Sequence, residues 1–253
     1  MDLKRLLDIA IDAAEAACVE ILDVYHSADF GAEAKQDNSP LTLADKRAHL
    51  KITSILAKRG LPILSEEGKN IQYEERKNWE YFWMVDPLDG TKEFIKRNGE
   101  FTVNIALIHR TKAVLGVVAI PVTGAVYSAF AGGGAWIKRK GAISKLPVRS
   151  TVDFNKPGIR VVASRSHMNT ETEAFIGKLR EPILVSKGSS LKFMMLAEGE
   201  ADVYPRYAPT MEWDTAAPHV IINEIGLQVL HIDQGSELIY NKPDLLNPYF
   251  LVQ

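Results

Sequence analysis

Residues 81–96 read YFWMVDPLDGTKEFIK, and this stretch is more informative about the fold and the site than any other part of the chain. The apolar and aromatic run from Tyr81 to Val85 predicts a buried strand, which we expect to end at Asp86. An amphipathic pattern typical of a helix begins after Thr91. The sequence therefore predicts a strand, an acidic turn and a helix start in direct succession, an arrangement suited to a functional site.

The turn itself, DPLDGT, has the composition of a site for a cation and an anion. Pro87 restricts the backbone, and Gly90 allows a ligand to approach the main chain closely. Asp86 and Asp89 can then direct carboxylate oxygens at one hard cation, beside the free N–H groups of the following helix. These features predict a metal-assisted phosphate site. The alternative is an ordinary turn, in which Asp89 only caps the helix.

The overall composition is that of an ordinary globular protein. The 253 residues allow one large domain or two of about 100 to 150 residues each. The hydrophobic share of 46% and the charged share of 25% indicate neither disorder nor a membrane protein. The net charge of -2 offers no general attraction for nucleic acid, so a small anionic ligand is favoured over a polymer.

The N-terminal segment lacks the pattern of a cleaved signal peptide, and we expect a cytoplasmic protein with no stable membrane insertion. A loose association of the first amphipathic helix with the cytoplasmic face of the inner membrane stays open, since core packing explains its pattern equally well. A homodimer also stays open. Cys18 lies in an Ala-rich helical stretch, where a buried thiol is expected rather than a nucleophile or a metal ligand.

Two amphipathic helices are predicted at 3–26 and 43–58. The second helix has apolar residues at helical spacing, among them Leu43 and Leu50, which we expect to face the core. The polar segment AKQDNSP at 34–40 lies between the two helices, and its composition predicts a mobile flap.

The remainder of the chain has two different rhythms. Up to residue 150, short β-like runs separated by turns predict a largely antiparallel sheet. After it, strands alternate with helices, which is typical of an α/β unit. We therefore predict an N-terminal α+β metal-binding domain at 1–150 and a C-terminal α/β domain at 151–253, with a small-molecule site between them.

Three further acidic sites lie far from DPLDGT in the sequence. Glu66 follows a strand-like run, Asp45 occupies the third position of the second helix behind Thr42, and Asp214 lies at another helix entrance. Each has an ordinary alternative, since Glu66 could lie in a solvated turn and the two aspartates could only cap their helices. Together with the aspartates of DPLDGT, Glu66 becomes a candidate ligand shared by two cations, and Asp45 could orient a water for attack.

Taken in order, Glu66-Glu67, DPLDGT at 86–91 and WDTAA at 213–217 resemble the motifs of the inositol monophosphatase superfamily of magnesium-dependent, lithium-sensitive phosphatases. Within that superfamily the chain is most similar to the bacterial 3'(2'),5'-bisphosphate nucleotidases. This similarity depends on TLADKRA (42–48), LSEEG (64–68), VASRSH (162–167), GSSLKF (188–193) and YPRYAPTMEWDTAA (204–217). It covers nearly the whole chain and implies a layered αβαβα sandwich of α+β and α/β character.

The resemblance also implies a site that holds two or three Mg²⁺ ions. The implied metal ligands are Glu66, Asp86, the carbonyl of Leu88, Asp89 and Asp214; the implied catalytic residues are Glu66, Asp45 and Thr91. Asp45 and Thr91 would polarise the attacking water, and the N–H groups of Gly90 and Thr91 would bind the scissile phosphate. Hard oxygen ligands suit Mg²⁺ rather than zinc, and two such ions can stabilise the attacking and leaving oxygens of an in-line displacement.

The same resemblance implies a nucleotide site formed by Ser166, His167, Ser189, Lys192 and Arg206. Lys192 and Arg206 could offset the charge of a 5'-phosphate that the metal ions do not reach. His167 could instead be an ordinary polar residue, and Ser189 could be a helix cap.

The chain departs from the family pattern at Pro218-His219, where many members have glycine, and this bears on the helix geometry and on the shape of the sugar pocket. The resemblance implies a phosphatase that converts adenosine 3',5'-bisphosphate to AMP and phosphate, and acts on its sulfated analogue, in sulfur assimilation and nucleotide recycling. An inositol or fructose 1,6-bisphosphate phosphatase with the same metal core is an alternative. A phosphate- or nucleotide-binding regulator is the non-enzymatic alternative, against which the full acidic set argues.

Overall fold

The computed structural model describes residues 1–27, 33–34, 40–68, 70–163 and 168–253, with 33–34 and 40–41 described by their backbone alone. The helices are α1 (Leu3–Tyr25), α2 (Leu43–Leu56), α3 (Tyr73–Arg76), α4 (Thr91–Ile95), α5 (Thr170–Ile176), α6 (Leu191–Glu198) and α7 (Glu212–Glu224), with a 3-10 turn at Ala57–Arg59. The strands are β1 (Glu33–Ala34), β2 (Pro40–Leu41), β3 (Ile63–Ser65), β4 (Tyr81–Asp89), β5 (Thr102–His109), β6 (Lys112–Ile120), β7 (Ala125–Phe130), β8 (Gly134–Arg139), β9 (Ala142–Lys145), β10 (Arg160–Val162), β11 (Ile183–Val185), β12 (Tyr204–Arg206), β13 (Val229–His231) and β14 (Phe250–Val252).

Seven strands form the main sheet of the described residues, in the order β3-β4-β5-β6-β7-β8-β9. β3 and β4 run parallel, and each later strand is antiparallel to its neighbour. The parallel pair requires a crossover, which contains α3, whereas the antiparallel strands follow one another through short turns. The predicted largely antiparallel sheet is therefore confirmed.

The main sheet is covered by helices on both faces. α1 and α2 pack together on one face, and α6 and α7 lie on the other. Beyond α6 and α7 lies a second sheet of β12, β14 and β13, which a parallel bridge between Val161 and Val203 joins to the pair β10-β11. α5 packs against β12 from outside. This succession of helix, sheet, helix, sheet and helix confirms the αβαβα sandwich.

The first two helices have nearly the predicted bounds, but not all of the apolar residues predicted to face the core do so. α1 buries its apolar face, including Leu7, Ala14 and Ile21, in the cluster under the main sheet. In α2, by contrast, Leu43 and Leu50 are 44% and 66% exposed, so the prediction that they face the core is wrong. Small and branched residues elsewhere on α2 fill the narrow space against α1 instead. The predicted flap at 34–40 lies largely outside the described residues.

The strand of the DPLDGT stretch is longer than predicted. β4 continues through Asp86 to Asp89, and only the five residues of α4 are helical after it. Asp86 pairs with Asn104, and Asp89 pairs with Thr102. An advance of three residues along β4 is therefore matched by only two residues along β5. The extra residue forms a bulge between Asp86 and Asp89, a segment in which Pro87 has no N–H to donate to the neighbouring strand. The strand therefore bends at the motif instead of ending there.

α7 approaches the main sheet very closely. A side chain at Gly116 in β6 would place its Cβ 2.1 Å from the carbonyl oxygen of Ala217. One apolar cluster contains main-sheet residues such as Phe82 together with Ile221 of α7 and Phe250 of β14. No helix within the described ranges is long and apolar enough to cross a membrane.

Candidate active site

Glu66 and Asp86 are brought together by the parallel pair β3 and β4. Ser65 is aligned with Val85, and the Glu66 N–H donates to the Val85 carbonyl at 3.0 Å. The residue after each of these is acidic, Glu66 in the turn that follows β3 and Asp86 within β4, and the two carboxyl groups lie within hydrogen-bond reach. Burial raises the pKa of Asp86 well above its ordinary range, and the negative charge of Glu66 raises it further.

Asp89 is held through only one of its carboxylate oxygens. Its Oδ2 accepts the backbone N–H and the hydroxyl of Ser190, each at 2.7 Å. Thr102 Oγ1 and Asn104 Nδ2 make longer contacts of 3.4 Å to the same oxygen. Oδ1 accepts no hydrogen bond from the described residues, which leaves it available to a ligand.

Asp214 is presented by the first turn of α7. The helix begins at Glu212 with Met211 as its N-cap, so Asp214 is not itself the N-cap residue. It lies at the third helical position, where its Oδ2 accepts the Met211 N–H at 2.9 Å in a capping box, so its side chain does cap the helix as expected. Burial raises the pKa of Asp214 well above its ordinary range, the charge of Asp89 raises it further, and Arg206 acts in the opposite direction.

Asp45 and Thr91 contact each other beside the DPLDGT turn. Asp45 is buried, and its Oδ2 accepts the backbone N–H of Thr42 at 2.7 Å, which confirms the predicted capping box. Its Oδ1 accepts the Thr91 hydroxyl at 3.1 Å, and the same hydroxyl lies 3.3 Å from the Leu88 carbonyl. The Asp45 carboxylate therefore caps α2 with one oxygen and contacts Thr91 of the DPLDGT turn with the other.

Position 90 requires glycine because of its backbone conformation and because of its close approach to Ser189. Its φ of 96° lies in the left-handed region, where residues with a side chain are strained. A Cβ there would also lie 2.5 Å from the Ser189 hydroxyl oxygen. Glycine thus allows the segment before α6 to pack directly on the DPLDGT turn.

The donor set fits a hard divalent cation. The acidic groups offer carboxylate oxygens, and the described residues place no Lys or Arg in an ion pair with Asp86, Asp89 or Asp214. Clustered negative charge without a cationic partner is costly when partly buried, and a divalent ion relieves that cost. In the ranges that the structure describes, no three His, Cys, Asp or Glu side chains are close enough together to hold a metal ion as they stand. Asp89 and Asp214 line the same cavity.

Positive charge lies in the same cavity as two of the aspartates. A space of about 190 Å³ is lined by Asp89 and Asp214 together with Lys192 and Arg206. Both cations also line an adjoining cleft of about 280 Å³ that contains Lys187. The buried Nε of Arg206 has no partner among the described residues. The cavity therefore brings two candidate metal-binding carboxylates and two cationic side chains together.

The remaining predicted nucleotide residues have different outcomes. Ser166 and His167 lie outside the described residues. Ser189 has a positive φ of 51°, and its hydroxyl donates to the Asp89 carbonyl. The N-cap of α6 is Ser190, so the alternative of Ser189 as the cap is wrong. Burial raises the pKa of Cys18 to about 12, in keeping with the expected inert thiol.

Sequence reasoning missed the residues that hold Asp89 in place. Ser190 and Asn104 are buried, and Asn104 Nδ2 donates to Ser190 Oγ at 2.9 Å. A signal was present for Asn104, because it is the one amide in the apolar run FTVNIALIH at 101–109. Ser190 had no comparable signal, since a serine before a helix is usually only a cap.

Pro218 lies in the interior of α7. Because α7 begins at Glu212, Pro218 occupies the seventh helical position rather than the first turn. His219 is buried, and its Nδ1 lies 2.7 Å from the Tyr240 hydroxyl. Neither residue lines the cavity of Asp89 and Asp214, so their side chains do not shape it directly.

Comparisons with known proteins agree with this geometry. The inositol monophosphatase family is matched over residues 2–252. The 3'(2'),5'-bisphosphate nucleotidase CysQ of Escherichia coli (strain K12) is 45% identical over 251 residues, which cover 98% of this chain and 99% of that protein. The crystal structure of CysQ from Bacteroides thetaiotaomicron has a TM-score of 0.88 and 45% identity, and the match covers 100% of this chain and 98% of that one.

A more distant structure shows the fold alone. The inositol monophosphatase from Anabaena is 23% identical, with a TM-score of 0.74, and the match covers 100% of this chain and 91% of that one. The fold has a main sheet between two helical layers, with an acidic turn in β4. The family match extends along nearly the whole sequence. The chain belongs to the inositol monophosphatase family.

Proposed function

We propose that the protein is a Mg²⁺-dependent 3'(2'),5'-bisphosphate nucleotidase that hydrolyses adenosine 3',5'-bisphosphate to AMP and phosphate. The observation that carries the proposal is the shared cavity, which is lined by Asp89 and Asp214 together with Lys192 and Arg206. A substrate with one phosphate at the metal-binding aspartates and a second phosphate at the cations matches this set of charges. The similarity to relatives named 3'(2'),5'-bisphosphate nucleotidases supports a nucleotide substrate of this class.

Glu66, Asp86, Asp89, Asp214 and the Leu88 carbonyl would hold two or three Mg²⁺ ions. Bound Mg²⁺ would supply positive charge to the scissile phosphate and lower the pKa of a nearby water. The Oδ1 atom of Asp89 is free of protein partners among the described residues, as such a ligand must be. The anchored Oδ2 atoms of Asp89 and Asp214 fix the direction of the oxygens that remain.

Asp45 and Thr91 would orient the attacking water. The Thr91 hydroxyl donates its hydrogen to Asp45, so the Thr91 oxygen can accept a hydrogen from water and direct the water oxygen toward phosphorus. The water oxygen forms a bond to phosphorus while the bond from phosphorus to the 3'-oxygen breaks. The 3'-oxygen leaves with a proton, and the products are AMP and inorganic phosphate. The N–H groups of Gly90 and Thr91 would bind the phosphate during this step.

The cationic side chains would recognise the 5'-phosphate. Lys192 and Arg206 would form charge-assisted hydrogen bonds to it, and Ser189, Ser166 and His167 would contact the nucleoside. The sulfated analogue has the same 3'-phosphate and 5'-phosphoryl group, so we extend the proposal to it. These substrates would place the enzyme in sulfur assimilation and nucleotide recycling.

The substrate is tested by comparing phosphate release from adenosine 3',5'-bisphosphate, inositol 1-phosphate and fructose 1,6-bisphosphate at equal concentrations with Mg²⁺. We expect the nucleotide to have the highest kcat/KM, because it alone presents a nucleoside with a second phosphate to the cations. A preference for inositol 1-phosphate or the sugar bisphosphate would favour a phosphatase of that kind. Binding of the nucleotide without release of phosphate would indicate a regulator instead.

The mechanism is tested with Asp89→Asn, which replaces one carboxylate oxygen with an amide N–H₂. Loss of several kcal/mol of transition-state stabilisation lowers kcat/KM by about 1,000-fold or more. Circular dichroism of the variant checks that the fold is retained. Substantial turnover of Asp89→Asn with Mg²⁺ would contradict the proposed role of Asp89.

A further inference from the structure

Ser190 contacts two proposed metal ligands that are far apart in the sequence. It is 1% exposed, and its N–H and hydroxyl each lie 2.7 Å from Asp89 Oδ2. The same hydroxyl lies 3.1 Å from the carbonyl oxygen of Asp214. Asn104 Nδ2 donates to the Ser190 oxygen at 2.9 Å and thereby limits its position. One buried serine thus joins β4, β5 and α7.

Pro218 explains why the Asp214 carbonyl needs this donor. In an α-helix, the carbonyl of residue 214 accepts the N–H of the residue four positions later. That residue is Pro218, which has no N–H to donate. The Ser190 hydroxyl lies where it can donate to the carbonyl that the proline leaves without this partner.

The Ser190 hydroxyl has one hydrogen and two acceptors. The Asp89 carboxylate is closer and charged, so it receives the stronger bond. If the hydroxyl turns to the Asp214 carbonyl, the backbone N–H of Ser190 still holds Asp89 Oδ2. Asp89 therefore stays anchored in both arrangements, with its Oδ1 directed away from Ser190.

We propose that Ser190 is a positioning residue, which together with Pro218 aligns Asp89 and Asp214 for binding Mg²⁺. This inference rests on the proposed function, in which both aspartates are metal ligands. Ser190 acts through those aspartates and does not bind the metal or the substrate itself. Residues that orient metal ligands affect metal affinity about 10- to 100-fold when they are replaced.

The test is the Mg²⁺ affinity of the full-length protein, measured by calorimetric titration without substrate. We expect Ser190→Ala to weaken the affinity by about 10- to 100-fold, because Asp89 and Asp214 lose the shared hydroxyl. Ser128→Ala is the matched control, since Ser128 is also a buried serine but lies in β7. Its Mg²⁺ affinity should equal that of the wild type.

Pro218→Ala separates alignment of the ligands from stability of the helix. The alanine N–H would bond to the Asp214 carbonyl and compete with Ser190, so Mg²⁺ affinity should fall while the Tm without metal does not. In the Ser190→Ala background the same change should have no further effect on affinity. Additive losses would contradict coupling through Ser190, and an unchanged affinity of Pro218→Ala would remove Pro218 from the proposal.

Asp89→Asn, titrated in parallel, distinguishes the metal-binding role of Asp89 from the positioning role of Ser190. If this variant binds Mg²⁺ as the wild type does, the metal role of Asp89 in the proposed function is wrong. If it loses affinity while Ser190→Ala binds Mg²⁺ normally, only the positioning role of Ser190 is overturned.

Discussion

At the scale of single residues, the two oxygens of Asp89 have separate tasks. Oδ2 accepts hydrogen bonds from Ser190, and Oδ1 stays available at the cavity. An asparagine could keep only one of these tasks, because either the anchor or the ligand position would receive an N–H₂ group. Arg206 lines the same cavity and contributes positive charge, and its buried Nε has no hydrogen-bond partner among the described residues.

Arg206→Ala tests whether this positive charge recognises the second phosphate. Loss of a charge-assisted hydrogen bond of about 1.5 to 3 kcal/mol should lower kcat/KM for adenosine 3',5'-bisphosphate by about 10- to 100-fold. Adenosine 3'-phosphate, which lacks the 5'-phosphate, should be affected much less. Exposed Lys178 beyond α5 gives a control of equal charge change, Lys178→Ala. Equal losses on both substrates would indicate that Arg206 does not recognise the 5'-phosphate.

At the scale of elements, the position of α7 decides where Asp214 lies. The helix begins at Glu212, and its backbone approaches β6 at Gly116. Helical periodicity predicted a helix in this region, but neither its first residue nor its distance from the sheet follows from periodicity. The end of β4 was likewise not predictable from the local sequence. The apolar run indicated a strand, but the continuation of that strand to Asp89 depends on its pairing with β5.

Gly116→Ala tests the close approach of α7. The new Cβ would lie 2.1 Å from the Ala217 carbonyl oxygen, so the helix must move away. We expect the free energy of unfolding, measured by urea denaturation, to fall by about 1 to 3 kcal/mol or more. Gly177→Ala is the control, because this exposed glycine at the end of α5 has a helical φ of -63°. That control should be neutral or stabilising by up to about 1 kcal/mol.

At the scale of the whole molecule, the site depends on packing between distant parts of the chain. Glu66 and Asp86 come from adjacent strands of the main sheet, whereas Asp214 arrives on a helix that packs across it. The shared apolar cluster holds these parts together. The division into domains at 1–150 and 151–253 stays a prediction. Bringing the carboxylates together costs electrostatic free energy, which makes stability depend on pH and on metal.

The pH dependence of stability follows from the raised pKa values of Asp86 and Asp214. An acid whose pKa is raised by folding stabilises the fold below its unfolded pKa and loses that stabilisation as pH rises through the folded value. Without metal, the Tm should therefore fall as the pH rises above the ordinary aspartate range of about 4. Thermal denaturation in EDTA between pH 5 and pH 8 measures this decline.

Mg²⁺ should reverse the decline, because it binds the ionised carboxylates. At about 100 times its Kd, Mg²⁺ should raise the Tm by about 5 °C or more at pH 8, and by less at pH 5. Asp86→Asn should be less dependent on pH in EDTA and should gain less from Mg²⁺. An equal effect of Mg²⁺ at both pH values would contradict the coupling between ionisation and metal binding.

The sequence by itself determined the chemical character of the site and much of the order of the elements. DPLDGT and the other acidic positions indicated hard oxygen ligands, because residue type alone sets that preference. Tertiary structure decided the contacts of Asp89 with Ser190, 101 positions away, and the proximity of Asp214 to both. Such contacts depend on how α6 and α7 pack on the main sheet, and packing between distant segments leaves no local periodicity in the sequence.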